Sequence, residues 1–197
     1  KENSNILQQK ELVDKKIFHI NKNITYMSNT IEDYMNFFHP NKEKHNFCLN
    51  SLIKKAISLA QSRDNHIQFD IEIGGEINIY TFENEFLQVL LILLENAIDS
   101  FKTTKNNHKY IGIFADNEKE NIILRIRDNA GGIPPTVIDK IFEPFFTTKF
   151  KGEGSGIGLY MAKMIVEESI GGKLDVYSQN IYTNFKITIK KENTNDK

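Results

Sequence analysis

The stretch that decides the fold is IILRIRDNAGGIPP, at residues 122–135. Its aliphatic-rich first half predicts a strand over 122–127. Asp128 follows at the carboxyl end of that strand, where open α/β sheets bind ligands. A carboxylate there can accept a hydrogen bond from an exocyclic amine such as that of adenine, and Gly131 and Gly132 let backbone approach a flat ring. The alternative is a plain turn into a glycine-rich loop, and this stretch alone fits both.

A second informative stretch lies upstream, in LLILLENAIDS at residues 90–100. Apolar residues cover most of the circumference of the helix predicted over 83–101, as expected for a helix that packs on a sheet. Asn96 interrupts this apolar surface, and its side-chain oxygen could bind a hard cation such as Mg²⁺. A capped or solvent-facing asparagine is the alternative, and spacing alone favours it.

A third stretch lies downstream, in GEGSGIGLYMAK at residues 152–163. Glycines at 152, 154, 156 and 158 lead into a predicted helix, an arrangement that suits phosphate because free N–H groups and the positive end of the helix dipole face the anion. The stretch lacks the Gly-Lys-Ser/Thr ending of a P-loop and the spacing of a dinucleotide fold. A flexible loop without a ligand remains the alternative.

Apolar periodicity in the rest of the chain predicts one compact α/β domain. Helices are expected at 49–62, 83–101 and 156–169, and strands at 66–73, 77–80, 110–115, 122–127, 173–178 and 184–190. The turn signal Gly74-Gly75 predicts that strands 66–73 and 77–80 pair with each other. The segment 129–155 has no clear period, and loops of this length inside a compact domain are usually functional, often as a lid.

The first forty residues follow a different pattern, a heptad repeat. Its apolar positions are Val13, Ile17, Ile20, Ile24, Met27, Ile31, Tyr34 and Phe38. One long helix with a narrow apolar stripe is therefore expected, ending at Pro40, and this stripe must pack against other helices.

Composition and charge exclude several classes of protein. The chain has 197 residues, of which 25 are Lys or Arg and 26 are Asp or Glu, giving a formal net charge of -1. Because there is no basic excess, nucleic acid is not expected as a partner. The single cysteine, Cys48, cannot form an internal disulfide and fits a reducing compartment. No apolar run reaches the length of a membrane span.

In this order, the motifs resemble the ATP-binding catalytic domain of sensor histidine kinases, the Bergerat or GHKL fold, over about residues 47–190. LLENAIDS (93–100) resembles the N box, RDNAGGIPP (127–135) the first glycine box, IFEPFFTTK (141–149) the phenylalanine box and GEGSGIGLYMAK (152–163) the second glycine box. The phenylalanine box separates histidine kinases from gyrase-like, mismatch-repair and chaperone relatives. The resemblance implies an α+β fold, a two-layer α/β sandwich preceded by the long heptad-patterned helix.

The resemblance also implies which residues bind Mg-ATP. Asn96 would bind Mg²⁺, Asp128 the adenine amine, Gly132 would leave space beside the ring, and Lys149 would reach the phosphates. The full implied set is Asn96, Asp99, Asp128, Gly132, Ile133, Lys149, Gly154, Ser155, Gly156, Ile157, Gly158 and Leu159. Three phenylalanines of the phenylalanine box, Phe142, Phe145 and Phe146, are expected to anchor a mobile lid rather than touch the ligand.

The chain departs from the family pattern at three points. Ile92 stands one helical turn before Asn96, where many members carry a second polar residue, so metal coordination is expected to be thinner. Ala130 replaces the first glycine of the first glycine box, a change that costs little unless the backbone there needs positive φ. The usual phosphoacceptor motif is absent: it is a histidine followed by an acidic or amide residue and, a few residues on, a proline, in the first helix of a hairpin. The sequence after His19 does not match it, and His39, His45, His66 and His108 do not match it either.

The heptad helix instead resembles the second helix of the kinase dimerisation hairpin. We therefore expect a partial dimerisation helix at 1–40, the catalytic ATP-binding domain at 41–190 and a polar tail at 191–197. The phosphoacceptor histidine is expected to lie upstream of this sequence. A homodimer through the N-terminal helix is also expected.

The resemblance predicts transfer of the γ-phosphoryl group of Mg-ATP to that histidine, with a response regulator receiver domain as a further partner. The domain would be cytoplasmic, and membrane attachment of a parent protein is left open. The alternative is a nucleotide-responsive binding module that controls partner docking without phosphotransfer. A serine-directed kinase of the same fold is a third reading, against which the heptad helix argues.

Overall fold

The computed structural model describes residues 13, 16, 17, 20, 24, 43–61, 64, 66–104, 106, 108–149 and 154–191. The first five of these are helical. Val13, Ile17, Ile20 and Ile24, four positions of the expected heptad stripe, are between 50% and 57% exposed. The remaining stripe positions, the helix end at Pro40, Gly152 and the end of the polar tail lie outside the described residues.

Within the described residues, the larger sheet has five strands in the order β2-β4-β5-β7-β6. They are β2 (Gln68–Ile73), β4 (Tyr110–Asn117), β5 (Asn121–Asp128), β6 (Lys173–Gln179) and β7 (Tyr182–Lys190). β2 runs parallel to β4, and the other neighbours are antiparallel. β5 lies at the centre, so the strand that carries Asp128 is paired on both sides and is fixed in position.

One layer of helices covers this sheet, which confirms the expected two-layer α/β sandwich. The helices are α1 (Leu49–Gln61), α2 (Glu83–Ser100) and α3 (Gly158–Met164), and the last continues as a π-helical turn over Ile165–Ser169. Residues such as Leu90, Leu93 and Leu94 of α2 are almost fully buried with Leu124 and Ile126 of β5 in one apolar core. The predicted bounds of α1 and α2 hold to within one residue, whereas the third helix begins at Gly158 rather than 156.

The predicted pairing of strands 66–73 and 77–80 is wrong. β3 (Asn78–Thr81) pairs antiparallel with β1 (His45–Cys48), a strand that was not predicted, in a separate two-stranded sheet. β2 instead pairs with β4, which places Phe69 opposite Ile111 and Ile71 opposite Ile113. Gly74 and Gly75 therefore carry the chain from one sheet to the other.

Two further contacts hold the small sheet to the helices. The imidazole of His45 lies 2.8 Å from the carboxylate of Glu83 at the start of α2, and this hydrogen bond raises the pKa of His45. The backbone N–H of Leu49 donates to the carbonyl of Ile77 at 2.8 Å. In the described part of the chain, no helix is both long enough and apolar enough to cross a membrane.

Candidate functional site

Asp128 ends β5 and is the most deeply buried carboxylate on this edge of the sheet. The residue is only 3% exposed. One carboxylate oxygen accepts a hydrogen bond from the N–H of Ala130 at 2.9 Å, and the hydroxyl of Thr183, opposite Asp128 on β7, also donates to the carboxylate. Burial outweighs these hydrogen bonds and raises the pKa of Asp128 to about 6. The group is thus a buried acceptor that titrates near neutral pH, a property that is common at functional sites.

Asn129 fixes the backbone next to Asp128, a role that the sequence analysis missed. Its side-chain oxygen accepts from the N–H of Tyr110 at 2.9 Å, and its amide donates to the carbonyl of His108 at 2.8 Å. The side chain of Asn106, just after α2, donates to the carbonyl of Asn129 at 3.2 Å. These bonds tie the end of β5 to the start of β4 and to the segment that follows α2.

The backbone angles of the turn after Asp128 show which of its residues must be glycine. Ala130 is not among the described residues with positive φ, so the alanine carries no backbone strain. Gly132 does need to be glycine, because its φ is 74° and a Cβ would lie 2.5 Å from the carbonyl oxygen of Asn180 in the turn between β6 and β7. The N–H of Ile133 donates to the hydroxyl of Ser178 at 2.7 Å. Packing against this turn is a structural reason for Gly132 that needs no nucleotide.

Asn96 and Asp99 lie on one face of α2, three residues apart. Asn96 is half-buried, and no residue in the described ranges hydrogen-bonds its side chain. Its unpaired amide oxygen is the kind of ligand that Mg²⁺ accepts, so the residue fits the predicted metal role. Ile92 lies one helical turn before Asn96. Its Cγ2 atom is 3.5 Å from the position that a Cβ on Gly158 would occupy, so Ile92 and Gly158 are neighbours. An apolar side chain therefore occupies the position where many members of the resembled family carry a second polar residue.

Lys149, the last residue of the phenylalanine-rich segment, forms an ion pair with α2. Its ammonium lies 2.8 Å from one carboxylate oxygen of Asp99, and the ammonium of Lys102 lies 2.6 Å from the other. Burial alone would raise the pKa of Asp99, but the hydrogen bonds from Lys102 and Lys149 lower it below its ordinary value. The structure thus brings Lys149 to the face of α2 that carries Asn96 and Asp99. The sequence did not predict the ion pair between Lys149 and Asp99.

Two of the three rings of the phenylalanine-rich segment pack into the domain. Phe142 packs edge-on against Phe185 with ring centroids 6.4 Å apart, and Phe146 packs against the core. The expectation for Phe145 is wrong, because its side chain is 73% exposed. Phe145 acts through its backbone instead: it has a φ of 66°, and its N–H donates to the carbonyl of Gly156 at 3.0 Å.

The second glycine-rich segment lies directly on this backbone. Gly156 has a φ of 66°, and a Cβ there would lie 2.5 Å from the carbonyl carbon of Phe145 and 2.6 Å from the carbonyl oxygen of Phe146. The N–H of Ile157 donates to the hydroxyl of Ser155 at 3.2 Å. Leu159, in the first turn of α3, packs against the core. The glycine-rich residues 154–157, which we call the lid, are therefore joined to the phenylalanine-rich segment before α3 begins.

The predicted site residues fall into two groups. Asp128, Gly132 and Ile133 lie at and after the end of β5, and Asn96, Asp99 and Lys149 lie on or against α2. The residues Gly154, Ser155, Gly156 and Ile157 lead into Gly158 and Leu159 of α3. The first group has a buried acceptor, and the second has two cations and a half-buried amide; a ligand that is flat and aminated at one end and anionic at the other would suit both together.

Known proteins are similar to this chain over the region that carries most of these residues. Residues 81–193 match the family model described as "Histidine kinase-, DNA gyrase B-, and HSP90-like ATPase". A probable C4-dicarboxylate sensor kinase of Halalkalibacterium halodurans is 38% identical over 101 residues, which cover 51% of this chain and 19% of that protein. The chain therefore spans about a fifth of the length of this relative.

Solved structures show the same similarity. The catalytic domain of histidine kinase ThkA in a nucleotide-free form has a TM-score of 0.67 at 29% identity, covering 76% of this chain and 96% of that one. ThkA in complex with the response regulator protein TrrA has a TM-score of 0.72 at 24% identity, covering 88% of this chain and 49% of that one. At this lower identity, the second comparison supports the fold alone.

Proposed function

The chain belongs to the family of histidine kinase-, DNA gyrase B- and HSP90-like ATPases, and from this membership we propose that it is the catalytic part of a two-component sensor histidine kinase. It carries an ATP-binding domain of the sensor histidine kinase type. In this proposal the domain transfers the γ-phosphoryl group of ATP to a histidine outside this chain. The observation that carries the proposal is the buried Asp128 carboxylate at the carboxyl end of β5.

The proposed roles follow from the contacts of each residue. The carboxylate of Asp128 accepts hydrogen bonds from the N–H of Ala130 and the hydroxyl of Thr183, and its two oxygens retain acceptor capacity for the amine of adenine. At the other end, Asn96 would hold Mg²⁺, which neutralises phosphate charge when it is bound. Lys149 donates to the phosphates, and the lid residues Gly154, Gly156 and Gly158 allow backbone to close over them. Phosphoryl transfer mainly requires such positioning and charge neutralisation.

The same proposal covers the surroundings of the domain. Residues 1–40 form part of a dimerisation helix, 41–190 the catalytic domain and 191–197 a polar tail. The exposed apolar positions Val13, Ile17, Ile20 and Ile24 support a homodimer through this helix.

A response regulator receiver domain is the proposed recipient of the phosphoryl group. We place the domain in the cytoplasm, in keeping with its single cysteine.

Incubation with γ-labelled ATP tests the transfer directly. None of the five histidines follows the phosphoacceptor pattern, so the chain alone should bind ATP without forming phosphohistidine. A longer form that contains the upstream helix should become labelled on histidine. Stable label on His19 or on any other histidine of this chain would refute the proposal.

A nucleotide-responsive module without phosphotransfer is the second candidate function. The observation that favours it is Ile92, which places an aliphatic side chain beside Gly158 where many family members carry a polar residue. Under this alternative, the longer form would bind ATP and change its affinity for a partner, but no phosphohistidine would appear.

We expect Asn96→Ala to weaken binding of Mg-ATP by about tenfold or more, the usual cost of losing a residue that supports a metal. Binding of ATP in the presence of EDTA should hardly change, because the adenine end is untouched. Calorimetric titration with and without Mg²⁺ measures both. Asn184→Ala, a half-exposed asparagine of β7 on the opposite face of the sheet, is the matched control. An equal loss in EDTA would argue against a metal role for Asn96.

A further inference from the structure

Asp99 joins two distant parts of the chain at the phosphate end of the proposed site. It lies three residues after Asn96 on α2, and its carboxylate binds two ammonium groups, one on each oxygen. Lys102 is a neighbour on the same helix end, whereas Lys149 is 50 residues away in sequence. The second contact therefore exists only in the folded protein, and it fixes where Lys149 points.

The triad formed by Asp99, Lys102 and Lys149 carries one negative and two positive charges. Its net charge is therefore positive, which suits an anionic ligand. A lysine ammonium has three N–H donors, and the hydrogen bond to Asp99 uses one of them. The Lys149 side chain is 31% exposed, so its ammonium is not sealed from solvent. Lys149 can thus hold Asp99 and donate to a phosphate oxygen at the same time.

Gly154 lies close to the stem of Lys149. A Cβ on Gly154 would lie 2.9 Å from Cδ of Lys149 and 3.2 Å from the hydroxyl of Thr147. That hydroxyl in turn accepts a hydrogen bond from the N–H of Lys149 at 3.1 Å. The ammonium of Lys149 is therefore bound to Asp99 on α2, while its stem lies beside Gly154.

We propose that Asp99 is a positioning residue that holds the Lys149 ammonium ready for the phosphates of ATP. This inference rests on the proposed function. A free lysine side chain loses rotational freedom when it binds a ligand, whereas a lysine already held by Asp99 has lost much of it beforehand. Asp99 therefore increases affinity for the phosphates without touching them itself.

The test is a double-mutant cycle on the intact chain with Mg-ATP and with adenosine. Asp99→Asn should weaken binding of Mg-ATP by about three- to tenfold, the cost of immobilising one long side chain on binding. Binding of adenosine, which has no phosphates, should not change. In a Lys149→Met background, Asp99→Asn should have no further effect, because the lysine that it positions is gone. Asp99→Glu should restore part of the affinity.

Asp64→Asn is the matched control, because Asp64 forms a similar ion pair with Lys109 at 2.7 Å and is similarly buried. It should leave binding of Mg-ATP within about twofold of the unmodified chain. Additive losses in the cycle, an equal loss for adenosine, or tighter binding of Mg-ATP by Asp99→Asn would each overturn the role of Asp99. If the unmodified chain bound no ATP at all, the proposed function itself would fail, which is a distinguishable result.

Discussion

Asp128→Asn should abolish measurable ATP binding and, at neutral pH, make the protein more stable. The variant replaces one of the two carboxylate oxygens of Asp128 by an N–H₂ group, and it is the second oxygen that is replaced if the remaining oxygen keeps its bond to Ala130. That group would face the amine of adenine, donor against donor. At the same time, the substitution removes a charge from a position that is only 3% exposed, where ionisation is unfavourable.

The sign of the stability change follows from the pKa of Asp128, which burial raises from 3.8 to about 6. The folded protein holds this proton more tightly than the unfolded chain does, so the free energy of unfolding falls as pH rises between about 4 and 6. Above pH 6 the carboxylate is ionised in both states, and its burial lowers the free energy of unfolding by about 3 kcal/mol at most. Below pH 4 the unmodified protein and Asp128→Asn should have similar stability.

Denaturant unfolding at pH 4, 5, 6 and 7.5, together with ATP titration at pH 7.5, measures both effects. Asp175→Asn is the control, since Asp175 is paired with Lys173 on the edge strand β6 and should affect neither. A stability gain with unchanged ATP affinity would remove Asp128 from the adenine site. A stability loss at pH 7.5 would mean that the carboxylate is stabilised in a way that the structure does not reveal.

Gly156→Ala should weaken ATP binding by about a hundredfold by opening the lid. The alanine would have to adopt a φ of 66° with its Cβ within 2.7 Å of three backbone atoms of Phe145 and Phe146. Strain and overlap together cost about 2–4 kcal/mol. Moving the lid away relieves both but breaks the hydrogen bond from Phe145 to Gly156. The cost therefore appears when ATP requires the lid to close again.

Gly75→Ala is the matched control for this prediction. Gly75 also has a positive φ, 89°, but nothing lies within 4 Å of a Cβ placed there. It should lose about 1 kcal/mol of stability and keep its affinity for ATP. Hydrogen exchange in residues 141–157 should rise in Gly156→Ala but not in Gly75→Ala. Unchanged exchange and affinity in Gly156→Ala would show that the lid does not depend on this contact.

Much of the fold could be predicted because its main elements carry local signals. The apolar circumference of α2 and the aliphatic runs of β4 and β5 gave their positions to within two residues. The pairing of β2 and β3 could not be predicted in this way. The glycine pair at 74–75 resembles a hairpin turn, but the partners of these strands, β4 and β1, lie elsewhere in the sequence. Strand β1 has only four residues and shows no periodicity.

The residues of the candidate site likewise divide into those with a local sequence signal and those whose contacts form only on folding. Residues such as Asp128 and Gly156 could be chosen from short motifs, because strand ends and glycine-rich turns are local features. The ion pair between Asp99 and Lys149 joins positions 50 residues apart, so only the folded chain reveals it. The sequence also gave no reason to separate the exposed ring of Phe145 from the packed rings of Phe142 and Phe146, since that depends on a backbone φ of 66°.

The measurement that tests the central claim most directly is a pair of calorimetric titrations of the chain, with Mg-ATP and with Mg-GTP. The claim is that a buried carboxylate reads the amine of adenine at the end of β5. Guanine presents a carbonyl acceptor at that position, so it would face Asp128 acceptor against acceptor. We predict micromolar binding of ATP and binding of GTP that is weaker by about a hundredfold or more. Equal affinities for the two nucleotides, or no binding of ATP, would contradict the account.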